Sequence, residues 1–214
     1  MIPEFEVKGT PFHRGEQLGR RFKAQIQDTL FQLSEDEEVR RRQITLLGAM
    51  LGYMEEEFPE IPEQIRGIAR GAEISEDAAF WKNMYNAVGP ALCDDLACTS
   101  VAFVSSDVGP ILGKTDDGSF RPDRDRLDEL TILTVRADEG YDVLCVNPVG
   151  TVWSECGVNE KGLCMGLSSG HPAMPGQDGR GVPQHIVTRL VLRRCATVKE
   201  GVDFLKRTPL TGKG

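Results

Sequence analysis

Cys98 is the residue best placed to do chemistry. The segment Asp94-Asp95-Leu96-Ala97-Cys98-Thr99-Ser100 sets a thiol before two small hydroxyl residues and ahead of the apolar run Val101-Ala102-Phe103-Val104. A helical region ending in an acidic, turn-prone stretch precedes it. That is the layout of a self-cleaving precursor, in which the bond before the Cys breaks and the Cys becomes a new N-terminus. The thiolate is the nucleophile, and a free Cys titrates near ~8.5, so it needs a base. No His is close in sequence. An N-terminal Cys carries its own base, an α-amine titrating at about 7.7–8.0. The thiol begins the break by attacking the Ala97 carbonyl, and water hydrolyses the resulting thioester. Ala97 and Thr99 are small enough to leave room for the tetrahedral intermediate. The competing reading is a core cysteine at a strand start, since Cys is among the most buried residue types.

A second group of residues comes from the segment Gly113-Lys114-Thr115-Asp116-Asp117-Gly118. If 99–105 and 111–115 pair as a hairpin, its end returns close to Cys98. Lys114 then favours a thiolate by charge, and Asp117 holds and orients the new ammonium group. A solvated Asp-Asp-Gly turn fits the same residues. Ser168 and Ser169 are candidates to line a substrate pocket, with solvated loop serines as the alternative. Trp153 is a candidate pocket wall, with a core aromatic as the default. Asn159 belongs to an Asn-Glu-Lys-Gly hairpin turn. His171 and His185 are expected to be structural, and Cys145, Cys156 and Cys164 to be core. The tight Cys/His spacing of a zinc site is missing, so neither a metal nor a cofactor is expected.

These residues must be positioned by a chain of 214 residues with 40% hydrophobic and 27% charged residues, a soluble globular composition. The net charge of -8 disfavours nucleic acid as a partner. No signal peptide and no long apolar run is read from the sequence, so the expected location is cytoplasmic with no membrane partner. The six cysteines form no CxxC pair and are expected as free thiols.

The pattern changes near residue 97. Before it, Phe5-Glu6-Val7 suggests a short strand, and Leu18, Phe22, Ile26 and Leu30 make one helical stripe. The acids from Glu35 to Glu38 open a second helix. Pro59 and Pro62 punctuate before a third, marked by Ile65, Ile68, Ala69 and Ala72. Ser75 caps a fourth, with Trp81, Met84, Tyr85 and Val88 on one face. After residue 97, three hairpins are expected: 99–105 with 111–115, 130–136 with 141–147, and 152–157 with 163–167. Several of these strands are apolar on both faces and call for cover on both sides. Ile186, Val187, Leu190 and Val191 then mark a helix, and Thr197-Val198-Lys199-Glu200 is a capping box for another. Sheets followed by paired helices suggest a layered α+β sandwich. Three hairpins and two helices make only part of one, and the rest is expected in a longer chain or a second chain.

The chain resembles the acyl-CoA:6-aminopenicillanic-acid acyltransferase family (isopenicillin N acyltransferase-like proteins) of the N-terminal-nucleophile hydrolases. The resemblance runs along most of the chain, from Gly9-Thr10-Pro11-Phe12-His13-Arg14-Gly15-Glu16-Gln17-Leu18-Gly19 and Gly67-Ile68-Ala69-Arg70-Gly71-Ala72 to Cys98-Thr99-Ser100. Gly113 to Asp117 takes the place of the family's G-x-N-x-D segment. Gly157-Val158-Asn159-Glu160-Lys161-Gly162-Leu163 is similar to a hairpin shared with bile-salt and penicillin V hydrolases. Departures are Ala97 for a Gly, Thr115 for an Asn, and Lys114 where Arg or Gln is usual.

The resemblance implies a four-layer αββα sandwich and autoproteolysis between Ala97 and Cys98. It gives a mainly helical segment over 1–97 and the first half of the nucleophile domain over 98–214. It implies amide hydrolysis or acyl transfer through a Cys98 thioester, with Asp117 positioning the α-amine. Relatives add a later Asn to the oxyanion hole and a later Arg, neither of which is assigned here. The expected partners are a small acyl amide, peptide or acyl-CoA substrate and the chain's own cleaved subunit in a heterodimer, with a homo-oligomer also compatible. The alternative is a non-catalytic or truncated member acting as a binding or assembly module.

Overall fold

The computed structural model describes residues 1–88, 98–116, 126–136, 138–168 and 179–211. The expected cleavage residue Ala97, together with Cys93, Asp117, Ser169 and His171, lies outside them, as do the side chains of Tyr85 and Val88. The order is a strand, five helices, six strands, then two helices between short strands. The architecture is α+β.

The first strand, β1 (Glu4–Val7), is followed by α1 (Pro11–Arg21) and α2 (Lys23–Asp28). The stripe from Leu18 to Leu30 is therefore not one helix. Phe22 leaves helical geometry at φ -117°, ψ 27°, and the bend lets Leu18, Phe22 and Ile26 all be buried. Leu30 falls beyond α2. Then follow α3 (Glu37–Glu57), α4 (Glu60–Ala72) and α5 (Glu76–Val88). Their starts match the sequence. The Asp36 carboxylate caps α3 by accepting from the Glu38 and Val39 amides, and the Ser75 hydroxyl accepts from Ala78 N at 3.2 Å. Pro62 sits in the first turn of α4, where a missing N–H costs nothing.

The closest helix contact is between α1 and α4. Gly15 and Gly19 of α1 face Gly67 and Gly71 of α4, four residues apart in each helix. A Cβ at Gly15 would overlap the Gln64 carbonyl, one at Gly67 the Phe12 carbonyl, and one at Gly71 the Glu16 carbonyl. The two backbones touch, and no side chain fits between them.

The main sheet has five strands in the order β1-β4-β5-β6-β7. These are β4 (Leu130–Val135), β5 (Val143–Pro148), β6 (Cys156–Asn159) and β7 (Cys164–Gly166), with β1 parallel to β4 and the others antiparallel. Thr131, Leu133 and Val135 of β4 and Val143, Cys145 and Asn147 of β5 form the buried face. Helices cover it. Phe5, paired with Leu133, meets Phe22 edge-on at 5.7 Å. The α6 (Gln184–Arg194) residue Leu192 lies over Gly157. The last helix, α7 (Val198–Arg207), starts with half of the expected capping box: Thr197 Oγ1 accepts from Glu200 N at 3.2 Å, but the Glu200 carboxylate reaches back one residue further, accepting from Ala196 N at 2.7 Å. Short parallel strands β8 (Val182–Pro183) and β9 (Leu210–Thr211) flank these helices.

A separate hairpin, β2 (Cys98–Phe103) with β3 (Ile111–Asp116), lies on the opposite face of the sheet from α6. At Gly166 a Cβ would come within 3.3 Å of Ser100 Oγ and 3.5 Å of Leu112. Gly166 pairs with Cys156, on the face opposite to Gly157 and α6. The order across the sheet is helices, five strands, then the hairpin. Cover on both faces is not complete. The outward side of the hairpin leaves Val101, Phe103 and Ile111 exposed. Cys164 is exposed as well, against the expectation of a core position, and Cys156 is half-buried while Cys145 is buried. Cys98, Cys145, Cys156, Cys164 and Cys195 form no disulfide.

The α1–α4 contact yields a direct test. Gly67→Ala forces a methyl into the Phe12 carbonyl, and overpacking of this kind costs about 1–3 kcal/mol or more. Thermal unfolding should shift down by several degrees. Gly48→Ala in the open middle of α3, where a Cβ meets nothing, should leave the midpoint unchanged or raise it. Equal behaviour of the two variants would contradict the packing described.

Candidate functional site

Hairpin register fixes which side chains share a face. Ser100 pairs with Lys114, and Cys98 with Asp116. Side chains alternate along a strand, so Cys98, Ser100, Leu112 and Lys114 all point to the same side, towards β7. Cys98 opens β2 and is partly exposed. Lys114 Nζ lies 3.9 Å from Cys98 Sγ. The expected meeting of these two residues is thus present in the structure.

Lys114 also meets a residue that the sequence reading did not single out. Its Nζ donates to Glu155 Oε2 at 2.8 Å, with the two side chains only 4% and 15% exposed. Glu155 immediately precedes β6, and its backbone amide donates to the Val146 carbonyl while its carbonyl accepts from Leu167 N. The carboxylate is thereby held at the β6–β7 edge beneath the hairpin. Lys114 also acts on the neighbouring Cys156, whose thiol burial pushes up while the ammonium pulls it back. Ser168, just past β7, joins the group through its hydroxyl, 2.7 Å from Ser100 Oγ. Thiol, ammonium, carboxylate and two hydroxyls therefore converge where the hairpin rests on the sheet.

Trp153 lies elsewhere. Its ring meets His185 edge-on at 5.3 Å. His185 belongs to a buried polar cluster under α6. Its Nε2 is 2.7 Å from the Asn83 carbonyl, which makes Nε2 the protonated nitrogen. Asn83 in turn donates to the Ala79 and Gly150 carbonyls and accepts from Val152 N at 2.8 Å. Asn159 is a turn residue as expected, with Gly162 at φ 82° closing the turn. It also does more: its amide donates to the Leu192 and Cys195 carbonyls at 2.7 Å each, closing the C-terminus of α6. Among the described residues, no group of three or more His, Cys, Asp and Glu is placed to hold a metal ion. No described helix is long and apolar enough to cross a membrane.

A thiol beside an ammonium, carried by a hairpin on an α+β scaffold, is a site suited to acyl-group chemistry. Residues 104–212, just over half of the chain, match the family model for acyl-coenzyme A:6-aminopenicillanic acid acyl-transferase. The chain belongs to that family, and its role is acyltransferase-related at that level of description. The matched segment contains Lys114, Trp153, Glu155 and Ser168 and begins shortly after Cys98. No curated protein matches the chain.

Two measurements probe the site and its support. An ammonium at 3.9 Å stabilises negative charge developing on sulfur. Lys114→Met, which removes a cation from beside the developing thiolate, should slow alkylation of Cys98 by iodoacetamide at pH 7 by roughly tenfold; an unchanged rate would remove Lys114 from the chemistry. His185 supplies the second. Burial pushes its imidazole down to about 4, partly offset by the Asn83 carbonyl. The unfolded chain takes up this proton near ~6.5, before the folded one does. Stability is complete above that pH and falls as pH drops towards 4, by on the order of 3 kcal/mol. Urea titrations at pH 7 and 4.5 should show a smaller acid loss for His185→Gln than for wild type, even though the variant starts less stable.

Proposed function

We propose that the chain is a self-processing N-terminal-cysteine amidohydrolase or acyltransferase, active through a thioester on Cys98. The observation that carries this reading is the placement of Lys114 Nζ 3.9 Å from Cys98 Sγ in a member of this family. The helix–sheet–hairpin order fits three layers of an αββα sandwich, with 1–97 as the mainly helical subunit and 98–214 as the nucleophile domain.

Processing begins when Cys98 Sγ attacks the Ala97 carbonyl carbon. The C–N bond breaks, its nitrogen takes a proton and becomes the Cys98 α-amine, and the acyl group moves to sulfur. Water then cleaves the thioester, leaving a carboxylate on Ala97 and a free thiol. In turnover, the α-amine takes the thiol proton as sulfur attacks the acyl carbon of an amide, peptide or acyl-CoA. The leaving group departs with that proton, and the acyl group on sulfur passes to water or to an acceptor amine. Lys114 stabilises the sulfur anion, and Glu155 holds Lys114 in place. Asp117 orients the α-amine, and Ser168 and Ser169 bind the substrate. An oxyanion donor is worth roughly 10²–10³ in rate for such a step.

Intact-mass measurement of the purified protein tests this directly. Two fragments, residues 1–97 and 98–214, are expected, and Cys98→Ala should remain a single chain. An electrophilic acyl analogue should label the fragment that starts at Cys98. A 23.6 kDa species that persists unlabelled would overturn the proposal. The exposed outward face of the hairpin favours a second reading, an assembly module, and that outcome would then be the one supported.

A further inference from the structure

The longest helix described, α3, is covered on one side. Of its 21 residues, Gln43, Met50 and Met54 are buried. The opposite side carries Arg41, Ile44, Gly48, Gly52 and Glu55, all exposed. They are spaced by three or four residues, which makes one continuous stripe. Ile44 is 52% exposed, and a Cβ at Gly48 or Gly52 would meet nothing within 4 Å. Gly179 approaches α3 at Leu46 and Ala49, to the side of this stripe.

The charges along α3 run against its own dipole. A helix C-terminus carries partial negative charge and favours cations. Instead, α3 ends on Glu55-Glu56-Glu57 with no basic residue in its last turn, and it holds Arg40-Arg41-Arg42 near its start. Glu55 meets Arg66, Glu56 meets Arg180 at 3.5 Å, and Arg41 meets Glu37 at 3.0 Å. All of these are exposed pairs, which offset little of that charge. The pattern is symmetric about Gly48, with Arg41 seven residues before it and Glu55 seven after. Seven residues make about two turns, so Arg41, Gly48 and Glu55 share one line along the helix.

We propose that this face of α3 is a dimer interface, and that its occupant is α3 of a second copy of the chain, lying antiparallel. A closed two-fold pairing uses the same patch on both chains, so the patch must complement itself. This one does. With the two Gly48 residues on the axis, the Arg41 of each chain lies beside the Glu55 of the other. Ile44 falls beside the second copy's Leu51, and Thr45 beside its Gly52. The glycines let the two backbones approach, as Gly15, Gly19, Gly67 and Gly71 do between α1 and α4. Each acidic C-terminus then meets the arginines of the other chain, and the two helix dipoles oppose. A parallel pairing would set Arg41 against Arg41 and Glu55 against Glu55. One helix from each copy makes a small interface, so the association is reversible, with a dissociation constant of about 1–100 µM. The seam belongs to the segment before Cys98 and does not depend on processing.

The test is sedimentation equilibrium of the full chain from about 1 µM to about 200 µM. The mass should rise with concentration from 23.6 kDa towards twice that value. Raising the salt from about 0.05 M to about 1 M should weaken the dimer several-fold, because the paired charges are exposed. Arg41→Glu sets like charges together at two symmetric contacts and should weaken it about tenfold. Adding Glu55→Arg to that variant should restore it to within about threefold of wild type. Gly48→Glu, a better helix former that puts two carboxylates together at the axis, should also weaken it about tenfold. All of these positions are exposed, so the thermal midpoint of each dilute variant should stay near that of wild type. Phe103→Ser, on the exposed outward face of the hairpin, should leave the dimer intact. A monomer at every concentration would overturn the proposal. So would a dimer that tolerates both Arg41→Glu and Gly48→Glu, or one that is lost with Phe103→Ser, which would assign the interface to the hairpin.

Discussion

The backbone contact between α1 and α4 sets the helix side of the molecule. Gly15, Gly19, Gly67 and Gly71 bring the two helices together without intervening side chains. Helices that cross this closely cannot slide past each other, because any shift puts a carbonyl onto a Cα. α1 follows β1 directly, so fixing α1 on α4 also fixes where β1 reaches the sheet. The parallel pairing of β1 with β4, the edge-on contact of Phe5 with Phe22, and the turning of Arg14 into the interior all follow from that one seam. Residues whose contribution is the lack of a side chain thus organise those with the largest ones.

The other side of the sheet works by charge. Lys114 and Glu155 are almost removed from solvent and lie within hydrogen-bond distance of each other. In such surroundings a pair holds its geometry more firmly than one on the surface, where water and salt weaken it. Glu155 is anchored by backbone bonds on both sides of its own residue, so the carboxylate is a fixed point and the lysine takes its position from it. Cys98 lies at the margin of this pair and is partly open to solvent. That combination, a shielded charge beside an accessible sulfur, is what a nucleophile needs: stabilisation from one side and approach from the other.

Much of this arrangement could be read from the sequence, for a physical reason. Strand alternation has a period of two, and the turn at Ser106 to Pro110 sets the hairpin register. Together they place Cys98 and Lys114 on one face from local information alone. The helix caps at Asp36, Ser75 and Thr197 were equally local. Glu155 was not legible, because its contact with Lys114 depends on how the hairpin lies across β7, and nothing near residue 155 encodes that. The break at Phe22 escaped for a related reason. No Pro or Gly marks it, and it arises because Phe22 and Ile26 both turn to the sheet. Arg14 was visible only as part of a family-like opening segment, since the burial that makes it unusual comes from tertiary packing. Cys164 shows the limit of strand patterning: position within a strand does not say whether the face it occupies is covered.

The pairing of β1 with β4 also sets a schedule. Glu4 pairs in register with Ile132, so in a chain emerging from the ribosome β1 has no partner in the sheet until residue 132 has been made. The thiol at residue 98 emerges earlier, but its surroundings do not. Glu155 and Ser168 complete them, and at about 5–20 residues per second they follow seconds later. Contacts so distant in sequence form late in folding as well. The order of synthesis therefore acts as a timer: the sulfur is translated first, and the groups that surround it are translated last.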